Sequence, residues 1–269
     1  MKALILAAGY AIRMYPLTRH RAKPLLPVGG RPIIDHIIER VAEVEQINDV
    51  VLVTNHKFYD QFTEWADGCN FGINLHILDD GTSSEEGRRG AIGDIQFALT
   101  QLASPPCPGL PSDDFSDLLV LAGDNVFTFG LQDMVDFFRK RATDVIGVYR
   151  QIDVERLRRS GVAILDRDGR VAAFAEKPEE PATQWAAPPI YAYTRDTLDE
   201  VERYLAEGNN PDAPGHFVTW ICKRRPVYAF SLAEAPYDVG NLDSYRDVNR
   251  LFSSLAAATA TEVGAHCDD

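Results

Sequence analysis

Short apolar runs rich in β-branched residues alternate with amphipathic segments along the first half of this sequence. Polar or turn residues bound each run, which is typical of buried strands, and the segments between them have helical apolar spacing. This alternation predicts an α/β fold with a mostly parallel mixed sheet flanked by helices. The predicted strands are Ala3–Leu6, Val50–Thr54, Leu75–Leu78, Leu118–Ala122 and Val145–Tyr149, and the predicted helices begin at Pro32 and cover Tyr59–Gly68, Ile92–Leu102 and Leu131–Arg141.

After Tyr149 the pattern changes to shorter strands with two helices between them, which predicts a small α+β subdomain on the substrate side. Its predicted strands are Val162–Leu165, Val171–Phe174, Ile190–Thr194 and Val227–Ser231, and its predicted helices are Thr197–Glu207 and His216–Lys223. The proline-rich segment Ser104–Asp114 is expected to be a surface connection rather than a domain linker. We therefore expect one domain over residues 1–252, with halves of about 1–149 and 150–252, and a flexible tail over 253–269.

The formal net charge of −13 limits the partners of the chain. Broad nucleic-acid binding needs a basic face, so we expect no nucleic-acid partner. Apolar runs are too short to span a membrane and the first residues lack a secretory layout, so we expect a cytoplasmic protein without a membrane partner. The cysteines and histidines lack the spacing of a transition-metal centre, so any metal is expected to have oxygen ligands.

Small residues follow the first predicted strand, where ligands of parallel sheets bind. Backbone amides of such residues approach an anion closely, and Arg13 and Lys23 add positive charge. The segment fits neither the G-x-x-x-x-G-K phosphate loop nor the three-glycine dinucleotide fingerprint. On these residues alone, a phosphate cradle and a tight turn with solvated cations are equally good interpretations. The candidate cradle contacts are Leu6, Ala7, Ala8, Gly9, Tyr10 and Ala11.

Carboxylates occupy two places where they could serve a phosphate ligand. Asp124 follows the buried strand ending at Ala122, and Mg²⁺ in proteins is usually held by one or two carboxylates together with phosphate oxygens. Glu176 and Lys177 are adjacent, so one carboxylate and one ammonium could hold the hydroxyls and the phosphate of one small ligand. An ordinary surface ion pair is the alternative for these two residues.

The segment from Leu6 to Val28 resembles the opening motif of the sugar nucleotidyltransferase family, L-A-(G/A)-G-x-G-T-R-(L/M)-x-P-L-T followed by P-K-P-(L/M)-x-P-V. Here it reads LAAGYAIRMYPLT and then AKPLLPV, with departures at Ala11, Ile12 and Ala22. Blocks resembling those of the family follow in the same order to about residue 250: GRRGAI from Gly87, GDN from Gly123, GVA from Gly161, AEKP from Ala175, and PYDVGN from Pro236.

The resemblance implies a Rossmann-like fold and Mg²⁺-dependent transfer of a nucleotidyl group from a nucleoside triphosphate to a sugar 1-phosphate or a similar substrate. It implies a nucleotide-binding half to about residue 149 and a sugar-phosphate-binding half after it. Arg13 and Lys23 are the expected catalytic residues, Gly87, Arg89, Gly90 and Asp124 bind nucleotide, and Asp124 and Asp238 bind Mg²⁺. The expected substrate-binding residues are Asn125, Gly161, Glu176, Lys177 and Tyr191.

Departures from the family pattern leave several alternatives open. Pro189 replaces a glycine before Tyr191, and the segment Asn209–Phe217 differs from its usual form, so a cyclitol phosphate is open beside a hexose phosphate. Cytidylyl transfer to a phosphoalcohol or phosphonate is another alternative. A catalytically silent regulator that binds a nucleotide sugar is a third. The base, the sugar and a homo-oligomeric state are left open by the sequence.

Overall fold

The structure is a computed structural model that describes residues 1–103 and 117–264. The predicted connection Ser104–Asp114 lies outside these ranges, as do residues 265–269 of the predicted tail. The strands are β1 (Lys2–Leu6), β2 (Pro27–Val28), β3 (Arg31–Pro32), β4 (Asp49–Thr54), β5 (Asn74–Asp79), β6 (Leu118–Ala122), β7 (Asn125–Val126), β8 (Asp144–Arg150), β9 (Gly161–Leu165), β10 (Val171–Glu176), β11 (Trp185–Ala187), β12 (Ile190–Tyr193), β13 (Val227–Ser231) and β14 (Tyr237–Asp238).

Helices connect these strands. They are α1 (Ile33–Ala42), α2 (Tyr59–Asp67), α3 (Ala91–Ala103), α4 (Gln132–Arg141), α5 (Val154–Leu157), α6 (Arg195–Leu198), α7 (Glu200–Ala206), α8 (Pro214–Ile221) and α9 (Leu242–Gly264). Single 3₁₀ turns lie at Ile12–Met14, Lys23–Leu25, His56–Phe58 and Glu85–Gly87. None of the helices in the described ranges has both the length and the apolar character that a bilayer crossing requires.

Ten of the strands form one mixed sheet. Strands β5, β4, β1 and β6 are parallel neighbours in that order, and β12 lies antiparallel between β6 and β8. Strand β13 runs parallel to β8, whereas β11 joins the β9–β10 pair to the end of β8. The predicted α/β class with a mostly parallel mixed sheet flanked by helices is confirmed, and strands from the second half of the chain continue the sheet of the first.

Apolar side chains cover both faces of the sheet, which explains why its strands read as continuous apolar runs. On one face, Ile33, Ile34, Ile37, Ile38 and Val41 of α1 are all fully buried, at the spacing that places them on one side of a helix. Burial of each such side chain contributes about 1.5–3 kcal/mol. The other face is covered by α3, α7 and α8. The carboxyl ends of β1, β4, β5 and β6 therefore remain available for a site.

The structure differs from the predicted elements where the periodic signal is short. The predicted helix Thr197–Glu207 is two helices, α6 and α7, separated at Asp199. Strand β11 was missed because it has three residues and ends at two prolines. Helix α9 continues to Gly264, so residues 253–264 of the predicted tail are helical.

Candidate active site

The segment after β1 is held by hydrogen bonds to neighbouring elements and is open to solvent at Gly9. Ala7 N donates to Val53 O at 2.8 Å, which ties the segment to β4. Asn55 Nδ2 donates to Ala8 O at 2.8 Å from a fully buried position. Gly9 is exposed, and a Cβ atom built on it would meet nothing within 4 Å. The segment therefore presents a rigid backbone with open space at Gly9, as a phosphate cradle requires.

Ala11 takes the conformation that the family glycine would favour. Its φ of 49° and ψ of 42° lie in the left-handed region, where a residue with a Cβ atom is strained by about 1–2 kcal/mol. Thr18 Oγ1 and Met14 N both donate to Ala11 O, at 2.8 and 2.9 Å, and these bonds hold the turn. Ala11 therefore holds a backbone conformation that is more commonly found at glycine. Ile12, which replaces the family threonine, is 50% exposed.

Lys23 is a buried cation directed at the end of β6. Only 7% of the Lys23 surface is exposed, and its Nζ lies 2.6 Å from Asp124 Oδ2. Gln61 braces the preceding chain, since its side chain accepts from Ala22 N at 3.1 Å and donates to His20 O at 3.0 Å. Ala22 is 1% exposed, so this position accommodates alanine in a packed environment. A positioned, desolvated ammonium is suited to stabilise charge on a phosphate.

Asp238 reaches the same place through the pairing of two very short strands. Strand β14 pairs antiparallel with β7, with Asp238 opposite Asn125, and Val239 N donates to Asp124 O at 3.3 Å. Asp238 is an exposed residue, but protein atoms around its carboxyl remove part of its hydration and raise the pKa of that group. The negative charge of Asp124 raises that pKa further. The two carboxylates therefore lie close together.

Three cations act electrostatically on Asp238, and one of them, Lys23, also pairs with Asp124. Lys23, Arg13 and Lys177 each lie close enough to Asp238 to lower the pKa of its carboxyl, against the effects of burial and Asp124. Lys23 and Arg13 come from the segment after β1, whereas Lys177 follows β10 in the second half of the chain. A chain with a net charge of −13 thus concentrates positive charge where its two halves meet.

The carboxylate pair fits a magnesium ion by its donor chemistry. Mg²⁺ prefers oxygen ligands and is commonly bound through one or two carboxylates, with substrate phosphates completing its coordination. Among residues 1–103 and 117–264, no group of three or more histidine, cysteine, aspartate or glutamate side chains could hold a metal by itself. Asp124 and Asp238 therefore suit a metal that arrives with a phosphate ligand better than an all-protein metal cage.

The loop Gly87–Gly90, which is predicted to bind nucleotide, packs against the segment Asn209–Phe217. Gly90 has a φ of +77°, and a Cβ atom there would lie 2.6 Å from Pro211 O. Ile92 N donates to Pro211 O at 2.9 Å and Ala91 N donates to Asp212 O at 3.3 Å. These two amides of the first turn of α3 are therefore already hydrogen-bonded to the segment. Protein packing and the positive φ therefore require a glycine at this position.

The arginine pair in this loop is engaged within the protein. Arg88 pairs with Glu85 and donates to Asp212 Oδ2 at 2.9 Å. Arg89 Nε donates to Asp80 O at 2.8 Å, and its guanidinium carbon lies 4.9 Å from the centre of the Phe97 ring. Gly87 ends the 3₁₀ turn before this pair and is exposed. The loop is therefore ordered by its own contacts before any nucleotide binds.

The predicted substrate residues gather at the end of β10. Glu176 lies opposite Gly161 in the β9–β10 pair, and its side chain is 9% exposed. Burial raises the pKa of its carboxyl, whereas Lys177 and then His216 lower it. Lys177 Nζ lies 3.7 Å from Glu176 Oε1, and its side chain is 59% exposed. One buried carboxylate therefore lies beside one accessible ammonium.

Helix α8 contributes residues that the sequence did not single out. A Cβ atom on Gly215 would lie 3.0 Å from Glu176 Cδ and closer still to Oε2, so only glycine leaves room for this carboxylate. His216 follows it and acts electrostatically on Glu176. No local sequence motif predicts a role for these two residues, because that role depends on how α8 packs against β10.

Tyr191 and Asn125 are less accessible than the other predicted residues. Tyr191 is 1% exposed and its ring centre lies 5.8 Å from that of Tyr193 within the core. Burial raises the pKa of its hydroxyl well above the ordinary value, and Glu176 adds to this effect, so the two side chains are neighbours. Asn125 is 8% exposed. Both residues border the site from within the fold.

A family model described as "Nucleotidyl transferase" matches residues 2–254. The glucose-1-phosphate adenylyltransferase of Thermomicrobium roseum is 28% identical over 261 residues, covering 91% of this chain and 58% of that protein. The mannose-1-phosphate guanylyltransferase of Mycobacterium tuberculosis is 28% identical over 199 residues, covering 74% of this chain and 50% of that protein. This chain thus spans less than two thirds of the length of these relatives.

Solved structures share the fold at lower identity. A UDP-glucose pyrophosphorylase complexed with UDP-glucose superposes with a TM-score of 0.75 at 18% identity, covering 94% of this chain and 98% of that one. A Bacillus anthracis protein provisionally described as a glucose-1-phosphate thymidylyltransferase, complexed with sucrose, gives a TM-score of 0.77 at 22% identity, covering 94% and 95% of the chains. These likenesses establish the fold.

Proposed function

This chain belongs to the nucleotidyl transferase family, and from that premise we propose that it joins a nucleoside triphosphate to a sugar 1-phosphate or cyclitol phosphate, releasing pyrophosphate. The observation that carries the proposal is that Lys23 pairs with Asp124 while Lys23, Arg13 and Lys177 all act electrostatically on Asp238. Two polyanionic substrates repel each other, and this arrangement supplies charge of the opposite sign from both halves of the chain.

The nucleotide is assigned to the half ending near residue 149. The backbone of the cradle around Gly9 receives the triphosphate, and Arg13 adds charge from the following 3₁₀ turn. Lys23 stabilises charge that develops on the α-phosphate, because its buried ammonium is already oriented toward that position by the contact with Asp124. Loop 80–90 borders the base.

Asp124 and Asp238 would hold Mg²⁺ together with the phosphates. The metal, when bound, neutralises charge on the α-phosphate and on the departing pyrophosphate. A cation bound there would also offset the repulsion from Asp124, which helps to raise the pKa of Asp238.

The sugar phosphate is assigned to the half of the chain over about 150–252. Lys177 binds its phosphate, and Glu176 accepts hydrogen bonds from hydroxyl groups of the ring. A phosphate oxygen attacks the α-phosphorus in line, so the new P–O bond forms as the bond to pyrophosphate breaks. This nucleophile is already an anion, and the reaction therefore needs neither a general base nor a covalent enzyme intermediate. The buried carboxylate of Glu176 favours a polyhydroxylated substrate over a simple phosphoalcohol.

Pyrophosphate release tests the proposal. Purified protein is incubated with ATP, CTP, GTP, UTP or dTTP against a panel of hexose 1-phosphates, cyclitol phosphates and phosphocholine, with Mg²⁺ or with EDTA. We expect Mg²⁺-dependent release with one preferred pair and formation of the matching nucleotide sugar. Asp124→Asn should abolish release while leaving thermal unfolding intact, and Asp133→Asn, on the exposed face of α4, is the control. Binding of a nucleotide sugar without turnover of any pair would contradict the proposal and favour a silent regulator.

A further inference from the structure

Two buried aspartates with no assigned role, Asp80 and Asp94, lie at the two ends of the segment that joins β5 to the first turn of α3. The carboxyl of Asp94, in the first turn of α3, is close enough to the carboxyl of Asp80, which follows β5, for the negative charge of Asp80 to raise its pKa. Asp94 is 6% exposed and Asp80 is 1% exposed. Two neighbouring carboxyl groups in such an environment resist ionising together, so one of them keeps its proton to a higher pH than an ordinary aspartate.

The hydrogen bonds around the pair assign that proton to Asp94. Thr82 donates twice to Asp80, from N to Oδ1 at 2.7 Å and from Oγ1 to Oδ2 at 3.0 Å. In contrast, Asp94 Oδ1 is buried and receives no hydrogen bond from the described part of the chain. Hydrogen bonds to the charged form favour ionisation, so Asp80 is the anion. Burial and then the charge of Asp80 raise the pKa of Asp94 to about 7.

Thr82 continues this network to the phosphate cradle. Because the Thr82 hydroxyl donates to Asp80, the Tyr10 hydroxyl is the donor in its 3.2 Å contact with Thr82 Oγ1. Tyr10 is 3% exposed and directly follows Gly9. Asp80 is therefore the acceptor at the end of two donor chains. In one, the Asp94 carboxyl donates to Asp80; in the other, Tyr10 donates to Thr82 and Thr82 donates to Asp80.

The charged groups around Asp94 come from the elements that surround it. Asp80 faces it from the end of β5, and Arg89, from the turn before α3, lowers its pKa. Arg89 also donates to Asp80 O at 2.8 Å. At the far end of the network, Asp79 and Glu85 act on Tyr10 together with Asp80. Helices α7 and α8 pack against α3 and contribute the apolar and aromatic side chains of Val201, Tyr204 and Phe217 to the apolar core on that face of the sheet.

We propose that Asp94 is a positioning residue of the nucleotide site: its protonated carboxyl donates to Asp80, and this bond holds loop 80–90 and Tyr10 in the arrangement that receives the nucleoside triphosphate. Loss of that proton places two negative charges side by side in a buried setting, so the loop separates from α3 and the cradle loses its support. The inference rests on the proposed function because it takes a nucleoside triphosphate as the ligand of the cradle.

Nucleotide binding in the absence of the second substrate tests this role. Affinities for ATP, CTP, GTP, UTP and dTTP with Mg²⁺ are measured by calorimetry between about pH 6 and pH 8.5. For the wild type we expect the Kd of the best nucleotide to rise above pH 7, by up to about tenfold per pH unit. Asp94→Asn keeps a donor and has no proton to lose, so its Kd should stay constant over this range. Asp94→Ala should bind weakly at every pH.

Two further measurements separate positioning from general stability and from the reaction itself. Asp49→Asn is the matched control, because Asp49 lies at the opposite end of β4 and has a pKa of about 2. It should keep the wild-type pH dependence of the Kd. Amide hydrogen exchange over residues 80–90, corrected for its intrinsic pH dependence, should quicken above pH 7 in the wild type only.

A wild-type Kd that is constant above pH 7 would overturn the inference, as would Asp94→Asn sharing the rise of the wild type. Absence of binding by every nucleotide at every pH would also overturn it. If nucleotides bind with the expected pH dependence but no pair releases pyrophosphate, the proposed reaction fails while the role of Asp94 stands.

Discussion

Replacing Gly215 with alanine is expected to weaken binding of the sugar phosphate and to leave binding of the nucleotide unchanged. The added Cβ atom would lie 3.0 Å from Glu176 Cδ and 3.0 Å from Phe174 Cε1, both well inside van der Waals contact, and closer still to Glu176 Oε2. The carboxylate has to swing away, since the backbone of α8 is fixed by its own hydrogen bonds. Its hydrogen bonds to substrate hydroxyls are then lost.

The size of the effect follows from those bonds. A hydrogen bond to a charged group contributes about 1.5–3 kcal/mol, so the loss of one lowers kcat/KM for the sugar phosphate by about tenfold to a hundredfold. Overpacking costs about 1–3 kcal/mol of stability. The better helix propensity of alanine in α8 offsets up to about 1 kcal/mol of that cost.

Steady-state pyrophosphate release, with each substrate varied in turn, is the assay. We expect a raised KM for the sugar phosphate and an unchanged KM for the nucleotide. Gly130→Ala is the control, because a Cβ atom there meets nothing within 4 Å. A wild-type KM for the sugar phosphate in Gly215→Ala, or an equal rise in both KM values, would refute the placement of Glu176.

Three other variants or conditions probe the rest of the structure. Lys23→Met should lower kcat by about 10²–10³ in pyrophosphate release, because a preorganised charge at the α-phosphate is lost; a change below about threefold would contradict this role. The acid limb of the pH–rate profile should move to lower pH as Mg²⁺ is raised, because metal and proton compete for Asp238, whose pKa is raised by burial and by Asp124; a midpoint independent of Mg²⁺ would remove Asp238 as a ligand. Burial opposes ionisation of Asp49, but hydrogen bonds led by that from Lys2 hold its pKa at about 2, below the ordinary 3.8. The resulting stability of about 2 kcal/mol is present above pH 4 and is lost as the pH falls toward 2. The free energy of unfolding from chemical denaturation should therefore differ between Asp49→Asn and the wild type at pH 7, and much less at pH 2. An equal difference at both pH values would show that the charge is not the cause.

The strands of the central sheet were predictable because they are buried on both faces. Leu118–Ala122, a continuous apolar run that is almost fully buried, appears in the structure with the predicted bounds. Val227–Ser231 also has the predicted bounds, although only Val227 of this strand is buried. Strand β11 lacked that signal, having three residues before Pro188 and Pro189.

The site was predictable only where the chain carries a motif. Lys23 and Asp124 were singled out by their positions after predicted strands and given roles by the family resemblance, and the structure places their charged atoms 2.6 Å apart. The role of Gly215 depends on α8 packing against β10, and the Asp80–Asp94 pair depends on how α3 returns to the end of β5. Such contacts join residues distant in sequence, and neither apolar periodicity nor local spacing records them.

The most direct test of the central claim follows the oxygen atoms of the sugar phosphate. A sugar 1-phosphate carrying ¹⁸O at its three terminal phosphate oxygens is converted with the preferred nucleoside triphosphate, and both products are weighed by mass spectrometry. If a phosphate oxygen attacks the α-phosphorus, all three labels appear in the nucleotide sugar and the pyrophosphate is unlabelled. Loss of a label from the nucleotide sugar, or label in pyrophosphate, would contradict the mechanism.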